Sequence, residues 1–397
     1  GRLYVAEQNG TVNAFTVTIE DGQYVATDHE ALTLASGLGV VTGLQNHNDD
    51  GSLSGEANRQ VTGIVVAGTA ENPVLYISSS DPRISSNGEV NLDTNSGIVT
   101  QVSWTGTEWV QLDLIRGLPR SEENHATNGM VLSPDGETLY LAVGGNTNNG
   151  APSSFFSYTG EYALSGSVLE IDLVDLASRP VLQDADGGQG GTVRDYVYDL
   201  PTLDDPSVAN DGVREDANGM DVNGPFGGND GLNMAVLPAD APLRIFADGF
   251  RNPYDLVMSP SGQLYTVDNG SNGNLGGDPV VVDGEASQQP NNGGTGAAEP
   301  LFLIEDGGYY GHPNPARSNQ NLSWTVYDDN GNPDGSVTPN TVSDLSALVP
   351  DGVQIADGFL IDPSKFTGDP VRLAESGVRV PHSSVESNSL VTVGSSS

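Results

Sequence analysis

One unit recurs along this chain of 397 residues: an apolar run, a tight turn, and then a Leu-Tyr pair inside a second apolar segment. It reads GRLYVAEQNG from Gly1, NPVLYISSS from Asn72, SPDGETLYLAVGG from Ser133 and SPSGQLYTVDNG from Ser259. Period-2 alternation bounded by Ser-Pro-x-Gly turns is the pattern of β-hairpins. The leucines, Leu3, Leu75, Leu139 and Leu264, lie further apart than the roughly 40 to 50 residues of common propeller repeats. The unit is therefore expected to be a four-stranded blade with large loops. The last interval is about twice the others, which means either two blades or one with an insertion. The insertion is favoured, because 183–240 is rich in Asp, Gly, Asn and Pro and has few alternating apolar segments beyond Val193 to Tyr198. A second irregular region covers 268–299. Four blades are readable and a fifth in part, so the chain is expected to be all-β: a single β-propeller domain of four-stranded antiparallel blades over 1–397.

Composition agrees, with 51 glycines, 24 prolines and few long helical patterns. No apolar run approaches the roughly 18 residues of a membrane span. The 53 acidic residues against 14 basic ones give a formal charge of -39, and the single lysine is Lys365. Nucleic acid is excluded as a partner, because phosphate binding needs a basic face. Two compatible accounts of the acidity are a solvated surface suited to a saline environment and carboxylates that bind calcium outside the cell. Cysteine is absent. The composition points to a secreted, cell-surface or periplasmic microbial protein. Gly1 falls inside a hairpin arm and the tail at 389–397 stops just after a strand-like run. Both ends are therefore expected to be incomplete, the chain being part of a larger polypeptide.

Polar residues gather at matching positions of two blades. His125, in EENHATNGMVLSPDG, precedes one inner strand, and Arg251-Asn252, in ADGFRNPYDLVMSPSG, precede another. Inner strands converge on the axis of a propeller, so these residues are expected to face a common pocket. There His125 is a candidate general base, since imidazole titrates near neutrality. Arg251 is the candidate electrostatic partner for an anionic cofactor or a developing negative charge. The plainer alternatives are that His125 caps a turn beside Asn124 and Asn128, and that Arg251 forms a surface ion pair. His47 and His312 read as loop residues, and His29 and His382 carry no signal. The loops that start at Asn46 and Asn330 place Ala57 and Thr341 where a helix-loop-helix calcium site needs glutamate, so they read as Asx-turns. The loop 268–278, with Asp268, Asp278, Asn272 and Asn274 among glycines, is the better calcium candidate.

Four segments, RLYVAEQNGTV, ENHATNGMVLSPDGETLYLAVGG, ADGFRNPYDLVMSPSGQLYTVDNG and GGYYGHPNP, together resemble the soluble quinoprotein glucose dehydrogenases and their sorbosone-dehydrogenase-like relatives. The resemblance implies a six-bladed propeller that binds pyrroloquinoline quinone (PQQ) and calcium and oxidises an aldose or related sugar by hydride transfer to the quinone. By position it implies that His125 removes the proton from the sugar hydroxyl, and that Gln60, Arg251 and Asn252, with Asn269 beyond the strand, contact the cofactor. Gly270 and Ser271 would supply carbonyls to calcium, beside Asp268 and Asp278. Asn124, Ser271 and Tyr254 depart from the family pattern, and the basic residues of the family's last blades have no counterpart here. A non-catalytic, calcium-stabilised propeller module for adhesion or carbohydrate binding is the alternative that these departures leave open.

Overall fold

The computed structural model describes residues 1–44, 46–48, 53–85, 89–188, 192–202, 234–282, 285–318, 324–325, 327–328, 330–333, 341–342, 354, 356 and 379–381. Lys365, His382 and the tail 389–397 lie outside the described residues. The first strands are β1 (Arg2–Ala6), β2 (Val12–Glu20), β3 (Gln23–Ala31), β4 (Gln60–Gly68), β5 (Pro73–Ser80), β6 (Gly97–Trp104) and β7 (Trp109–Leu118). There follow β8 (Thr127–Leu132), β9 (Thr138–Val143), β10 (Ser167–Asp172), the helix α1 (Leu173–Ser178), β11 (Leu182–Gly188), β12 (Thr192–Asp199) and β13 (Leu243–Asp248). The rest are β14 (Pro253–Met258), β15 (Leu264–Asp268), β16 (Val281–Val282), β17 (Glu285–Ala286), β18 (Pro300–Ile304), α2 (Pro315–Ser318), β19 (Trp324–Thr325), β20 (Thr341–Val342) and β21 (Arg379–Pro381).

The chain is all-β, and its principal sheets are antiparallel runs. They are ordered β1-β2-β3, then β4-β5-β6-β7, then β8-β9-β10-β13, then β14-β15-β18-β21. The same turn closes two of the repeated hairpins. In each, the Ser-Pro-x-Gly serine N–H donates across to the second strand and the glycine takes a positive φ, 75° at Gly136 and 82° at Gly262. A left-handed residue is cheap only as glycine, which fixes the hairpin register.

Three apolar cores lie between consecutive sheets. Val12, Ala14, Val61, Leu75 and Ile77 join the first two sheets. Val99, Ile115, Met130, Leu139, Leu169 and Ile171 join the second and third, and Ala142, Val168, Leu256, Leu264 and Phe302 join the third and fourth. Face-to-face stacking of successive antiparallel sheets, with their first strands side by side, is how propeller blades pack. The repeated leucines follow this logic. Leu75, Leu139 and Leu264 sit on second strands and are buried, whereas Leu3 is 47% exposed because β1 has no described sheet on that face.

First strands approach one another too closely for side chains. A Cβ on Gly129 of β8 would stand 2.2 Å from Asp255 Oδ1 and 2.7 Å from Asp255 Cα on β14, and one on Gly63 of β4 would stand 2.5 Å from Asn128 O. Glycine is needed at both positions.

Between β10 and β13 the chain leaves its blade, forms the β11–β12 hairpin, and lays β12 parallel to β7 on the preceding sheet. Buried ion pairs hold it there: Arg194 grips Asp113 with two bonds of 2.9 and 2.7 Å, and Arg116 meets Asp184 at 2.8 Å. Six arginines, Arg59, Arg116, Arg120, Arg194, Arg251 and Arg317, are buried. Six of the 14 cations of this acidic chain thus lie inside, held by aspartates, amides or backbone carbonyls.

Candidate functional site

At the ends of β4, β8 and β14 the structure brings together most of the residues singled out in the sequence. The loop Gly144-Gly145-Asn146-Thr147-Asn148, which follows β9, organises them. Gly145 O accepts from His125 Nδ1 at 2.8 Å. A carbonyl can only accept, so Nδ1 carries the proton and the lone pair of the neutral ring is on Nε2. His125 is buried, and burial first, then the nearby Arg251, hold it well below its ordinary pKa. It is therefore neutral at pH 7 and able to accept a proton at Nε2. Phe156 lies against the ring, 5.3 Å between centroids.

Arg251 is fixed from the same loop. Its Nε donates to Asn148 O at 3.1 Å and to Asn148 Oδ1 at 3.2 Å, while its two Nη nitrogens donate to no described residue. Gly145 N donates to Arg251 O at 2.7 Å. Beneath it, the buried Asp268 carboxylate accepts from the backbone N–H groups of Arg251 at 3.1 Å and Asn252 at 2.7 Å. Burial raises the Asp268 pKa, and those two amides oppose the rise. Asn252 Oδ1 accepts from Asn128 Nδ2 at 2.8 Å, which ties the β14 blade to the β8 blade. A Cβ on Gly144 would stand 2.6 Å from Asn252 Oδ1 and 2.7 Å from His125 Cβ, so the two blades meet across a glycine.

Beside this constellation is a cavity of about 480 Å³, lined by Gln8, Gln60, Asn124, Asn252, Tyr254, Asp255 and Asn269 among others. Gln60 is 3% exposed, and its Oε1 has no partner among the described residues. A buried amide oxygen without a partner is costly and marks a place prepared for a donor. His125 and Arg251 do not line this cavity, so it is not the common pocket expected of them. Its lining carries amides and one carboxylate, and no arginine or lysine.

The proposed calcium ligands are engaged as follows. Both Asp268 oxygens hold amides, Ser271 O accepts from Ala297 N at 2.8 Å, and the exposed Asp278 accepts from Asn149 Nδ2. A Cβ on Gly270 would stand 2.2 Å from Ala297 O, so that segment lies against the returning chain at 297–298. Among the described residues no group of three or more His, Asp and Glu side chains is placed to hold a metal ion. The Asn330 loop is an Asx-turn, with Asp328 Oδ1 accepting from the N–H groups of Asn330 and Asn332 at 2.9 Å each.

Two buried groups were not legible in the sequence. Glu161 is completely buried and accepts from Asn146 N (3.0 Å), Thr147 N (3.0 Å), Thr147 Oγ1 (2.6 Å), Ser165 Oγ and His312 Nε2 (2.8 Å). It therefore fixes the loop that orients both His125 and Arg251. His312, expected on a loop, is on one, but it is buried because Glu161 holds it. His47 is likewise a buried loop residue, its pKa lowered by burial to about 4.

No family model matches this chain, and no curated protein matches it in sequence. Solved structures with some similarity include a putative oxidoreductase (glucose dehydrogenase) from Thermus thermophilus, 16% identical, with a TM-score of 0.33 over 79% of this chain and 62% of that one. The PQQ-bound form of aldose sugar dehydrogenase from Streptomyces coelicolor is 13% identical, with a TM-score of 0.34 over 79% of this chain and 59% of that one. The holo PQQ domain of pyranose dehydrogenase from Coprinopsis cinerea is 13% identical, with a TM-score of 0.33 over 84% of this chain and 57% of that one. The chain thus spans less than two thirds of the length of each of these three structures. No helix among the described residues is long and apolar enough to cross a membrane.

Proposed function

We propose that this chain oxidises an aldose or related sugar with PQQ as hydride acceptor, with His125 as the base. The observation that supports this most directly is the fixed tautomer of His125. Gly145 O holds the proton on Nδ1, so Nε2 presents a lone pair in a dry site. Such a ring removes a hydroxyl proton, a step worth about 10² to 10⁴ in rate.

The residues present fit a quinone in part. The side-chain N–H groups of Asn252 and Asn269 and the Nη nitrogens of Arg251 are donors that would hold its oxygens, and the unpartnered Gln60 Oε1 would accept a ring N–H. When bound, the quinone supplies the two-electron acceptor that the protein itself lacks. The chain's own part is to hold the sugar hydroxyl near Nε2, to keep Arg251 as a fixed positive charge beside it, and to exclude water with Phe156. Calcium belongs to this proposal on the sequence resemblance, and Ser271 O would have to exchange the Ala297 N–H for the ion. A secreted or surface setting, with membership of a larger polypeptide, completes the reading.

A second reading, carbohydrate binding without turnover, is favoured by the cavity lining of amides without a cation. The two separate cleanly. Reconstitution with calcium and PQQ is expected to give dye reduction with at least one aldose, and His125→Ala is expected to abolish turnover while quinone absorbance shows that it still binds. Saturating quinone with no turnover across a broad aldose panel would overturn the first reading, and glycan binding by the same sample would establish the second.

A further inference from the structure

The turn 121–125 delivers a carboxylate to the imidazole on which the proposed function depends. Ser121 N donates to His125 O at 2.9 Å, and His125 N donates to Ser121 Oγ at 3.1 Å, which closes the turn on itself. Beneath it the completely buried Arg120 donates to the carbonyls of Ser121, Glu123 and His125, and also to Asp81 O at 3.2 Å and Arg83 O at 2.7 Å. A buried guanidinium saturated by carbonyls is a rigid support. On this support Glu123 Oε2 accepts from Asn124 N at 2.6 Å and lies 3.9 Å from His125 Nε2. The Glu123 side chain is 15% exposed and that of His125 only 2%.

The other charged groups around His125 cannot take a proton from it. Arg251 at the start of β14 and Arg120 under the turn are cations. His312 donates its Nε2 proton to Glu161. Glu161 is saturated by five donors, and both Asp268 oxygens hold backbone amides.

We infer that Glu123 is the proton outlet of His125, taking the Nε2 proton that the ring has removed from the sugar and passing it to solvent. This rests on the reading of His125 as the base. In the step, the N–H bond at Nε2 breaks, its electron pair returns to the ring as the lone pair, and an O–H bond forms on the Glu123 carboxylate. Glu123 then gives that proton to water or buffer, so both residues are restored and no electrons are lost from either. Contacts of this kind are commonly long before substrate is bound and close by a small side-chain rotation. Burial pushes Glu123 up, and burial and then Arg251 push His125 down, and both shifts favour passage of a proton from the ring to the carboxylate.

Glu123→Gln tests this, because the Gln oxygen still accepts from Asn124 N and the turn keeps its shape. In ¹⁵N-histidine NMR of the protein without quinone, the His125 midpoint is expected to fall by about one pH unit in Glu123→Gln, since a carboxylate this close favours the imidazolium. Glu123→Asp is expected to restore part of the shift. With quinone bound, turnover of Glu123→Gln is expected to fall about tenfold in dilute buffer and to recover as a small carboxylate buffer is added. An unchanged His125 midpoint, or a loss of turnover that buffer does not relieve, would overturn the inference. If the wild-type protein turns over no aldose, the proposed function fails by itself, and the NMR midpoint still decides whether the two groups are coupled.

Discussion

Glu161 is the residue whose removal has the most calculable effect. Its carboxylate is wholly buried and receives five donors, one of them the ring of His312. Glu161→Ala leaves all five facing a void. One stranded buried donor costs about 1–3 kcal/mol, but five do not add, because the 145–148 loop can relax and some donors find water. A total of about 3 kcal/mol, the upper end of the single-donor cost, is the expectation here. Against a total stability of about 5–15 kcal/mol this is a large fraction. The pH dependence gives an independent check. Burial alone would raise Glu161, but the bond and charge of His312 and the hydroxyls of Ser165 and Thr147 outweigh it and hold the carboxylate below its usual range. The unfolded chain therefore binds more protons near pH 4, and stability from this group is present above the unfolded value of about 4.3 and lost as the pH falls through the folded value. Urea midpoints of wild type and Glu161→Gln should differ most at pH 7 and converge toward pH 3.5. A loss below about 1 kcal/mol for Glu161→Ala at pH 7, or a wild-type to Glu161→Gln gap that does not shrink on acidification, would refute the reasoning.

Two further outcomes follow from packing. Gly129→Ala would put a methyl group 2.7 Å from Asp255 Cα, where backbone has to move; a loss of about 1–3 kcal/mol is expected, read as a lower urea midpoint. Asp113→Ala leaves Arg194 buried and unpaired on the hairpin that β12 docks to β7; about 3–5 kcal/mol should be lost, and hydrogen exchange should rise first in β11 and β12.

The fold was legible where local chemistry repeats. The Ser-Pro-x-Gly turns and Leu-Tyr pairs located β8–β9 and β14–β15, because hairpin registers are set by a few adjacent residues. The matching positions of His125 and Arg251-Asn252 were legible for the same reason: equivalent strand ends in stacked blades must come together. Leu3 looked equivalent to the buried leucines and is exposed, because burial depends on which sheet lies opposite and not on the strand itself. The alternating segment 193–198 marked β12, but its docking on β7 was hidden, since ion pairs with a strand distant in sequence leave no periodic signal.

The same limit explains the site. His125 and Arg251 stood out because histidine and arginine are rare in a chain with 53 acids and 14 bases. The group that orders them, Glu161, is one acid among many and could be distinguished only by its five donors. Glu123 is hidden in the same way, two residues before His125 in an acidic run. An acidic background therefore conceals carboxylates with work to do, and in such a chain they are recognised by what donates to them. On that criterion Glu161 and Asp268 are fixed supports with filled oxygens. Glu123 instead holds one amide and stands beside Nε2 at the edge of solvent, where a carboxylate can change its protonation state without unmaking the fold.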